Sequence, residues 1–364
     1  MHVTDADTAL IGQTVDAIPT PALVVEVDLL DANLARMAGY FAARPSQLRP
    51  HFKAHKCVTL ARRQLAAGGA VGITAAKLSE AEQLVAGGVG DVLIANQVIG
   101  AAKAARLAEL NRQAVVRVAV DDPGNIAELG VAARAAGVTI GVLVEIDIGM
   151  GRSGVTPDLA PELAQLVAVT KGLRFDGLQG YEGHLVTFPD PEERRVRVTA
   201  AMQPLLDVRA RLAATGLPVT IISGGGSGTY DITGDIAGID EVQAGSYALM
   251  DAKYRTVRPE FAVARGVLTT VVSAQPGRGV TDVGTKGLGG EFGLPEVDGA
   301  PGATVRKTAE EHTVIEGLAA RVGDLVRLVP SHGCTTNNLY RKMWITRAGI
   351  IEEVWAIEGS GCLE

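Results

Sequence analysis

Apolar runs alternate with amphipathic segments from Thr20 to about Tyr247, and this alternation constrains the fold more than any other feature. The runs have strand length, and the segments between them are rich in Ala, Leu, Glu and Arg with the helical period. The predicted strands are 22–27, 48–54, 72–76, 91–95, 115–120, 139–146, 173–180, 219–223 and 241–245. About eight such units favour an α/β fold of the (β/α)8 TIM-type barrel class over an open doubly wound sheet. In such a barrel, functional side chains lie at the carboxyl ends of the strands.

The pattern changes after about Arg258. Short strand-like runs follow, separated by Gly/Pro turns, at 266–274, 325–329, 343–346 and 350–357. We therefore expect a barrel domain over 20–258 and a C-terminal β-rich domain over 259–364, which the N-terminal segment 1–19 joins. The Gly-rich segment 284–301 is predicted to be either an ordered functional loop or a mobile lid.

Charge and composition exclude several classes of partner. The net charge is -7 and the pI about 5.5, and no basic stripe is present that could follow a nucleic-acid backbone. No apolar run approaches the roughly 18 residues that span a bilayer, and the N-terminus lacks the features of a signal peptide. Three scattered cysteines indicate a reducing compartment. These features predict a cytoplasmic protein that binds small molecules, with no nucleic-acid or membrane partner.

Two lysines and two histidines lie within eight residues in the run RPHFKAHK, 49–56. Lys53 falls at the end of a predicted strand, where burial would lower the pKa of its amine and let it form an imine with an aldehyde. His51, two residues earlier, is expected on the same strand face, beside a bound ring. On this run alone, a solvated basic loop remains an alternative.

A glycine-rich run, ISGGGSGT, follows another predicted strand at 222–229. Its backbone N–H groups and hydroxyls are typical of a phosphate cradle, although a plain tight turn is also compatible. The predicted phosphate contacts are Ser223, Gly225, Gly226 and Ser227, with Gly245, Ser246 and Tyr247 from the next strand end. A reactive lysine and a phosphate cradle in one barrel together suggest pyridoxal 5'-phosphate. Arg152 would then donate a hydrogen bond to the phenolic oxygen of this cofactor, with Tyr181 nearby.

With these motifs together, the chain resembles the fold-type III pyridoxal-phosphate enzymes of the D-threonine aldolase and D-serine dehydratase family, related to alanine racemase. The resemblance covers nearly the whole chain and rests on TPAL (20–23), RPHFKAHK (49–56), GMGRSG (149–154), YEGH (181–184), SGGGSGTY (223–230) and SHGC (331–334). It implies that Lys53 carries the cofactor as a Schiff base and that Lys56 is its outward neighbour. Ala54 stands where the family often has threonine.

The resemblance also implies a divalent metal held by His332 and Cys334. The family has His-x-Asp at these positions in aldolases and His-x-Cys in D-serine dehydratases, so Cys334 favours the dehydratases. Imidazole and thiolate ligands favour zinc, with manganese as the alternative. The family resemblance further implies a homodimer. His312 lies in a Glu-Glu-His run to which the sequence assigns no role.

The sequence therefore predicts a pyridoxal-phosphate- and metal-dependent lyase that acts on D-3-hydroxy amino acids. Lys53 and His184 are its predicted catalytic residues. The expected reaction is β-elimination of the D-serine or 3-hydroxy-D-aspartate dehydratase type. The alternatives are retro-aldol cleavage to glycine and an aldehyde, racemisation, and a non-catalytic pyridoxal-phosphate-binding protein.

Overall fold

The structure is a computed structural model that describes residues 3–364 and divides into two compact units. The first, here called the β-rich unit, contains residues up to 36, then 54–60 and 246–361. The second, here called the barrel unit, contains residues 37–53, 61–245 and 362–364. The chain therefore passes from one unit to the other several times.

The strands of the described residues form two sheets. Their bounds are β1 Ala22–Glu26, β2 Gln47–Leu48, β3 Ile73–Ala75, β4 Asp91–Ile94, β5 Val115–Val120, β6 Ile140–Glu145, β7 Leu173–Gly180, β8 Ile221–Gly224, β9 Glu241–Val242, β10 Arg265–Gln275, β11 Arg278–Thr281, β12 Glu296–Val297, β13 Thr304–Thr308, β14 Thr313–Glu316, β15 Leu325–Val329, β16 Lys342–Arg347 and β17 Ile350–Ala356.

The helices alternate with strands in the barrel unit. Their bounds are α1 Asp5–Thr8, α2 Val27–Ala42, α3 Val58–Ala66, α4 Leu78–Ala86, α5 Ala101–Leu110, α6 Pro123–Ala136, α7 Ala160–Val169, α8 Pro191–Ala214, α9 Tyr230–Thr233, α10 Ala252–Arg255 and α11 Gly333–Asn338. Local sequence fixes several ends. In α6, for example, the Asp122 carboxylate accepts the Asn125 N–H, Pro123 begins the helix, and Gly137 ends it with a left-handed backbone.

The barrel sheet is parallel throughout, in the order β2-β9-β8-β7-β6-β5-β4-β3. Two parallel bridges join the first and last strands of this order. Leu48 in β2 pairs with Ala70, just before β3, and His51, just after β2, pairs with Thr74 in β3, so the sheet closes on itself. Its strands are buried on both faces, and β6 is buried at all six positions.

The β-rich unit has a separate, mostly antiparallel sheet. The strand order is β13-β14-β11-β10-β1-β16-β17, and β15 pairs with both β10 and β12. Ile18, Leu268, Trp344 and Ile351 belong to its apolar core. The barrel and this second sheet together confirm the predicted fold class.

One predicted barrel strand belongs to the other sheet. The run 22–27 forms β1, which pairs antiparallel with β10 and parallel with β16. The chain up to residue 36 accordingly lies in the β-rich unit, whereas we predicted that the barrel begins at residue 20. A buried apolar strand has the same composition in either sheet, and only its pairing partners distinguish the two. No helix in residues 3–364 is both long and apolar enough to cross a membrane.

A cluster of ion-paired side chains, which are buried at Arg49 and exposed at Arg174, links strands of the barrel sheet. Arg49, only 2% exposed, donates to both carboxylate oxygens of Glu241 at 2.7 and 2.6 Å and to Asp91 at 2.6 Å. Arg117 binds Asp91 at 2.9 Å and Asp176 at 2.8 Å, and Arg174 also binds Asp176. Two of these contacts, Arg49–Asp91 and Arg117–Asp176, join strands that are not neighbours in the sheet.

We expect Arg49→Met to destabilise the protein strongly, because it leaves Glu241 buried without its cation. Removing one partner of a buried ion pair typically costs about 3–5 kcal/mol of unfolding free energy. Equilibrium urea denaturation would measure this loss. The control is Arg112→Met, which breaks the exposed Arg112–Glu109 pair and should cost less than about 1 kcal/mol. Equal losses in the two variants would contradict a structural role for the buried network.

Candidate active site

Lys53 lies in a short turn at the carboxyl end of β2. After Leu48 the backbone keeps its pairing, since the N–H groups of Arg49 and His51 donate to the carbonyls of Val242 and Ala244 at 2.9 and 3.1 Å. Residues 52–54 then form a single 3-10 turn in which Lys53 is half-buried. The prediction that the strand continues to residue 54 is therefore wrong. His51 does not share a strand face with Lys53, and its Nδ1 instead accepts the Lys53 N–H at 3.5 Å.

The Tyr181 ring brings three predicted site residues together. Its centroid lies 5.5 Å from Lys53 Nζ and 5.8 Å from Arg152 Cζ. On the glycine run, a Cβ at Gly226 would lie 3.4 Å from the Tyr181 ring. The lysine, the arginine and the glycine-rich loop thus surround one aromatic side chain, and all belong to the barrel unit.

Glu182 fastens the glycine-rich loop to the end of β7. Its side chain is fully buried and accepts hydrogen bonds from Thr229 Oγ1 at 2.7 Å, Thr233 Oγ1 at 2.6 Å and Gly225 N at 3.1 Å. Burial raises the pKa of this carboxyl, although its three donors act in the opposite direction. The sequence motif contained Glu182, but no signal in the pattern indicated that it is buried or that three donors converge on it.

Glycine is required at Gly228 by close packing. A Cβ there would lie 1.6 Å from the backbone oxygen of Val186, so any larger residue would displace the loop. Ser227, the neighbouring residue, is buried. Ser223 differs from the other predicted phosphate contacts, because its hydroxyl oxygen accepts from Gln243 Nε2 at 2.9 Å inside the barrel.

His184 lies over the loop that carries Arg152. A Cβ at Gly149 would lie 3.4 Å from the imidazole, and the positive φ of Gly149, +111°, permits this approach. Asp147 organises the loop by accepting the N–H groups of Gly149 and Gly151, both at 3.0 Å. The backbone hydrogen bond from Gly151 is the largest influence on Asp147 and, with the nearby His184, lowers the pKa of its carboxyl. The His184 side chain is exposed.

In the β-rich unit, His332 and Cys334 flank Gly333 at the start of α11. Nδ1 of His332 is buried and makes no hydrogen bond. Burial opposes protonation, but a hydrogen bond with Cys334 and nearby negative charges outweigh it and raise the pKa of His332. Ser246, predicted as a phosphate contact, has its Oγ 3.9 Å from Cys334 Sγ. No group of three or more His, Cys, Asp or Glu side chains in residues 3–364 is arranged to hold a metal ion.

Arg265 forms hydrogen bonds with the backbone of Ala54, the residue after Lys53, and with α11, the helix that contains Cys334. Its fully buried guanidinium donates to Asn337 Oδ1 at 2.9 Å, to Ala54 O at 3.4 Å and, through Nε, to Met250 O at 2.6 Å. Nη2 makes no hydrogen bond. A Cβ at Gly333 would lie 2.1 Å from Cζ of this arginine. Sequence reasoning missed Arg265, because an arginine within a strand pattern is ordinarily read as exposed.

Comparison with known proteins identifies two families along the chain. Residues 25–253 match the alanine racemase N-terminal domain, and residues 264–346 match a serine dehydratase domain. The 3-hydroxy-D-aspartate aldolase of Paracoccus denitrificans is 37% identical, with 97% of this chain and 95% of the relative covered. The D-threonine aldolase of an Arthrobacter species is 38% identical, with 96% and 95% covered.

The chain belongs to the fold-type III pyridoxal-phosphate enzymes of the D-threonine aldolase and D-serine dehydratase family. It is a pyridoxal-phosphate-dependent lyase, which confirms the enzyme class predicted from the sequence. Among solved structures, D-threonine aldolase from Filomicrobium marinum matches with a TM-score of 0.95 and 37% identity, covering 97% of this chain and 99% of that one.

Dehydratases of the family are more distant. The D-threo-3-hydroxyaspartate dehydratase of a Delftia species is 29% identical, with 89% of this chain covered. Solved structures of D-threo-3-hydroxyaspartate dehydratase include a metal-free cysteine-to-alanine mutant and a histidine-to-alanine mutant, at 27% identity and a TM-score of 0.85. The two mutated residues lie two positions apart, the spacing of His332 and Cys334 here.

The barrel unit fits the family's cofactor. A half-buried lysine, an arginine and an aromatic ring lie together, and the nearby loop has glycines at 224–226 and 228, where backbone rather than side chains faces its neighbours. Such a loop at the carboxyl end of a late strand is a common phosphate site in barrels. Lys53, Arg152 and the loop of Gly226 and Ser227 are therefore the residues that would hold the cofactor.

Tyr247 and His312 belong to the β-rich unit. Tyr247 is buried, with its ring 5.9 Å from that of Phe261. His312 is exposed in the turn between β13 and β14, where its carbonyl accepts the Ala309 N–H. The segment 284–301 is anchored by hydrogen bonds of Gly287 to Tyr340 and of Gly289 to Thr336 and Ser331. Its ordered contacts favour the functional-loop alternative.

We expect Glu182→Gln to weaken cofactor binding. The amide can keep one acceptor oxygen, but its NH2 group would face the N–H or hydroxyl donors that now bind the carboxylate. An unsatisfied buried donor costs about 1–3 kcal/mol, which corresponds to roughly 5- to 150-fold in the dissociation constant. Titration of cofactor-free protein, followed by the absorbance of bound pyridoxal phosphate, measures this constant.

The matched control is Glu128→Gln. That carboxylate, in α6, also accepts a glycine N–H, from Gly100 at 2.8 Å. Its cofactor affinity should match that of the wild type. Wild-type affinity in Glu182→Gln would show that the carboxylate does not support the phosphate site.

Proposed function

We propose that the enzyme cleaves D-3-hydroxy amino acids by a retro-aldol reaction to glycine and an aldehyde. The observation that carries this proposal is the 37–38% identity to aldolases over nearly the whole chain, against 29% to the Delftia dehydratase. This reverses the order of preference drawn from the sequence, where Cys334 favoured β-elimination.

Lys53 would hold pyridoxal phosphate through Nζ, with Arg152 beside the ring and the glycine-rich loop around the phosphate. When bound, the cofactor supplies an electron sink that stabilises negative charge at Cα of the substrate. The half-buried position of Lys53 limits access of water to the reacting atoms. The loop, held by Glu182, would bind the phosphate through its backbone N–H groups.

His184 is the proposed general base for the retro-aldol reaction. It accepts the proton of the 3-hydroxyl, the Cα–Cβ bond breaks, and the 3-carbon leaves as the carbonyl carbon of the aldehyde. Lys53 Nζ then delivers a proton to Cα, and glycine is released. The proton taken by His184 balances the proton given by Lys53. Exposure of the imidazole lets water restore both groups between turnovers.

Elimination is the second candidate, and Cys334 favours it. In this reaction Lys53 removes the Cα proton, the 3-hydroxyl leaves as water after protonation, and the released enamine hydrolyses to an oxo acid and ammonia. The His-x-Cys spacing shared with the mutated positions of the solved D-threo-3-hydroxyaspartate dehydratase supports this reading.

We also propose that His332 and Cys334 hold a divalent metal. The imidazole of His332 and the nearby thiol of Cys334 form a donor set that suits zinc better than manganese, which prefers oxygen ligands. A metal there would supply Lewis acidity, and two protein ligands leave further coordination positions open. A homodimer and a cytoplasmic location, both predicted from the sequence, complete the proposal.

Product analysis separates the two reactions. We expect purified enzyme to release glycine and acetaldehyde from D-threonine, and Lys53→Ala to release neither, because Lys53 is the lysine whose Nζ lies 5.5 Å from the Tyr181 ring, beside Arg152. The variant should also lose the absorbance band of lysine-bound cofactor and its labelling by borohydride. Ammonia with an oxo acid, from D-threonine, D-serine or 3-hydroxy-D-aspartate, would replace the aldolase proposal by the dehydratase.

We expect chelation to abolish turnover while the lysine-bound cofactor remains. Lys53 and the glycine-rich loop hold the cofactor without help from His332 or Cys334, so the absorbance band should persist. Loss of Lewis-acid assistance should slow turnover by roughly a thousandfold or more, about 4 kcal/mol of barrier. Full activity in metal-free protein would remove the metal from the proposal.

Cys334 variants test the ligand assignment. Cys334→Ala should reproduce the effect of chelation, and Cys334→Asp should shift preference from zinc towards manganese, because a carboxylate suits the harder ion. Metal analysis beside activity and cofactor absorbance provides the measurement. Unchanged zinc content in Cys334→Ala would show that the metal binds elsewhere.

A further inference from the structure

The imidazole of His332 lies beside a carboxylate. Oε2 of Glu291 is 3.4 Å from Nδ1, the nitrogen that is buried and makes no hydrogen bond. The same oxygen accepts a hydrogen bond from Thr335 Oγ1 at 2.8 Å, which fixes it close to the ring. Nδ1 therefore faces an anchored acceptor at slightly more than hydrogen-bond distance.

Phe292 covers a face of the same imidazole. The two ring centroids are 4.3 Å apart with an interplanar angle of 27°, a stacked arrangement. Glu291 and Phe292 are consecutive, so one short stretch of chain contacts both the edge and the face of the imidazole. Together they restrict rotation of the His332 side chain about both of its torsions.

The position of this stretch is set by hydrogen bonds on either side of His332. Gly289 donates its N–H to Thr336 Oγ1, and its carbonyl accepts from Ser331 Oγ, both at 3.0 Å. Ser331 immediately precedes His332, and Thr336 lies one helical turn beyond it. The segment 284–301 is thus registered against the residues that carry the imidazole.

We propose that Glu291 and Phe292 are positioning residues that present Nε2 of His332 to a divalent metal. Glu291 would accept a hydrogen bond from the Nδ1–H group, which selects the tautomer whose Nε2 carries the free lone pair. Phe292 holds the plane of the ring by stacking on it. This inference rests on the proposed metal site at His332 and Cys334. Carboxylates that accept the second N–H of a metal-binding histidine fix its orientation and raise its basicity. The inference gives the Gly-rich segment a function.

Zinc affinity of the cofactor-loaded, full-length enzyme tests the proposal, measured by competition with a chromophoric chelator. Glu291→Gln keeps the shape of the side chain but removes its charge, and zinc binding should weaken by about 10–100-fold. Phe292→Ala and Thr335→Ala should weaken it by a smaller factor, since each leaves the carboxylate in place. The melting temperature of the metal-free protein should not change in Glu291→Gln, whereas a merely structural residue would lower it.

Glu310→Gln is the matched control. It removes the same charge from an exposed carboxylate of the β-rich unit that pairs with Lys286 at 3.3 Å, and zinc affinity should stay at the wild-type value. Wild-type affinity in Glu291→Gln, or tighter binding, would overturn the positioning role while leaving the metal site intact. Failure of the wild type to bind zinc or manganese would instead overturn the metal site itself.

Discussion

The ion pairs of Arg49 connect strands of the barrel sheet, and this sheet positions the candidate active-site residues. The Arg49 guanidinium joins the end of β2 to β9 and β4, and Arg117 continues the network from Asp91 to Asp176 in β7. Three guanidinium groups (Arg49, Arg117, Arg174) face three carboxylates (Asp91, Asp176, Glu241), so the formal charge of this cluster sums to zero. Such pairs gain little net energy, but a mispaired strand would leave a charge buried alone.

Glycines make room for this network. A Cβ at Gly72 would lie 2.2 Å from Arg49 Nη1, and one at Gly141 would lie 2.3 Å from Asp176 Oδ2. The charged cluster therefore helps to set strand register, whereas Lys53, Arg152 and the glycine-rich loop lie at the carboxyl ends of the strands. Because the ion-pair cluster is separate from these residues, the carboxyl ends of the strands can carry the residues of the candidate active site.

Patterns within single elements were predictable from the sequence. The bounds of β5 and β7 match the predicted 115–120 and 173–180, because runs of apolar and β-branched residues identify buried strands directly. Facts that depend on partners were not predictable: β1 pairs in the other sheet, and Lys53 lies in a turn. The short strands β11, β13 and β14 were missed because they contain few buried apolar positions.

The same division applies to the site. Lys53, Arg152 and Tyr181 were identified from motifs and lie together, but Glu182 and Arg265 owe their importance to burial and to convergent hydrogen bonds. Arg265 also explains why glycine separates His332 from Cys334: the guanidinium occupies the space of any side chain at position 333. A spacing that reads as a metal motif is thus partly a packing requirement.

The end of β7 shows how little freedom such a site leaves. Tyr181 contacts the lysine and the arginine, Glu182 holds the glycine-rich loop, Gly183 packs against Met150, and His184 covers Gly149. Four consecutive residues, 181–184, therefore each have a different neighbour. A one-residue insertion or deletion here would change the neighbours of all four residues at once.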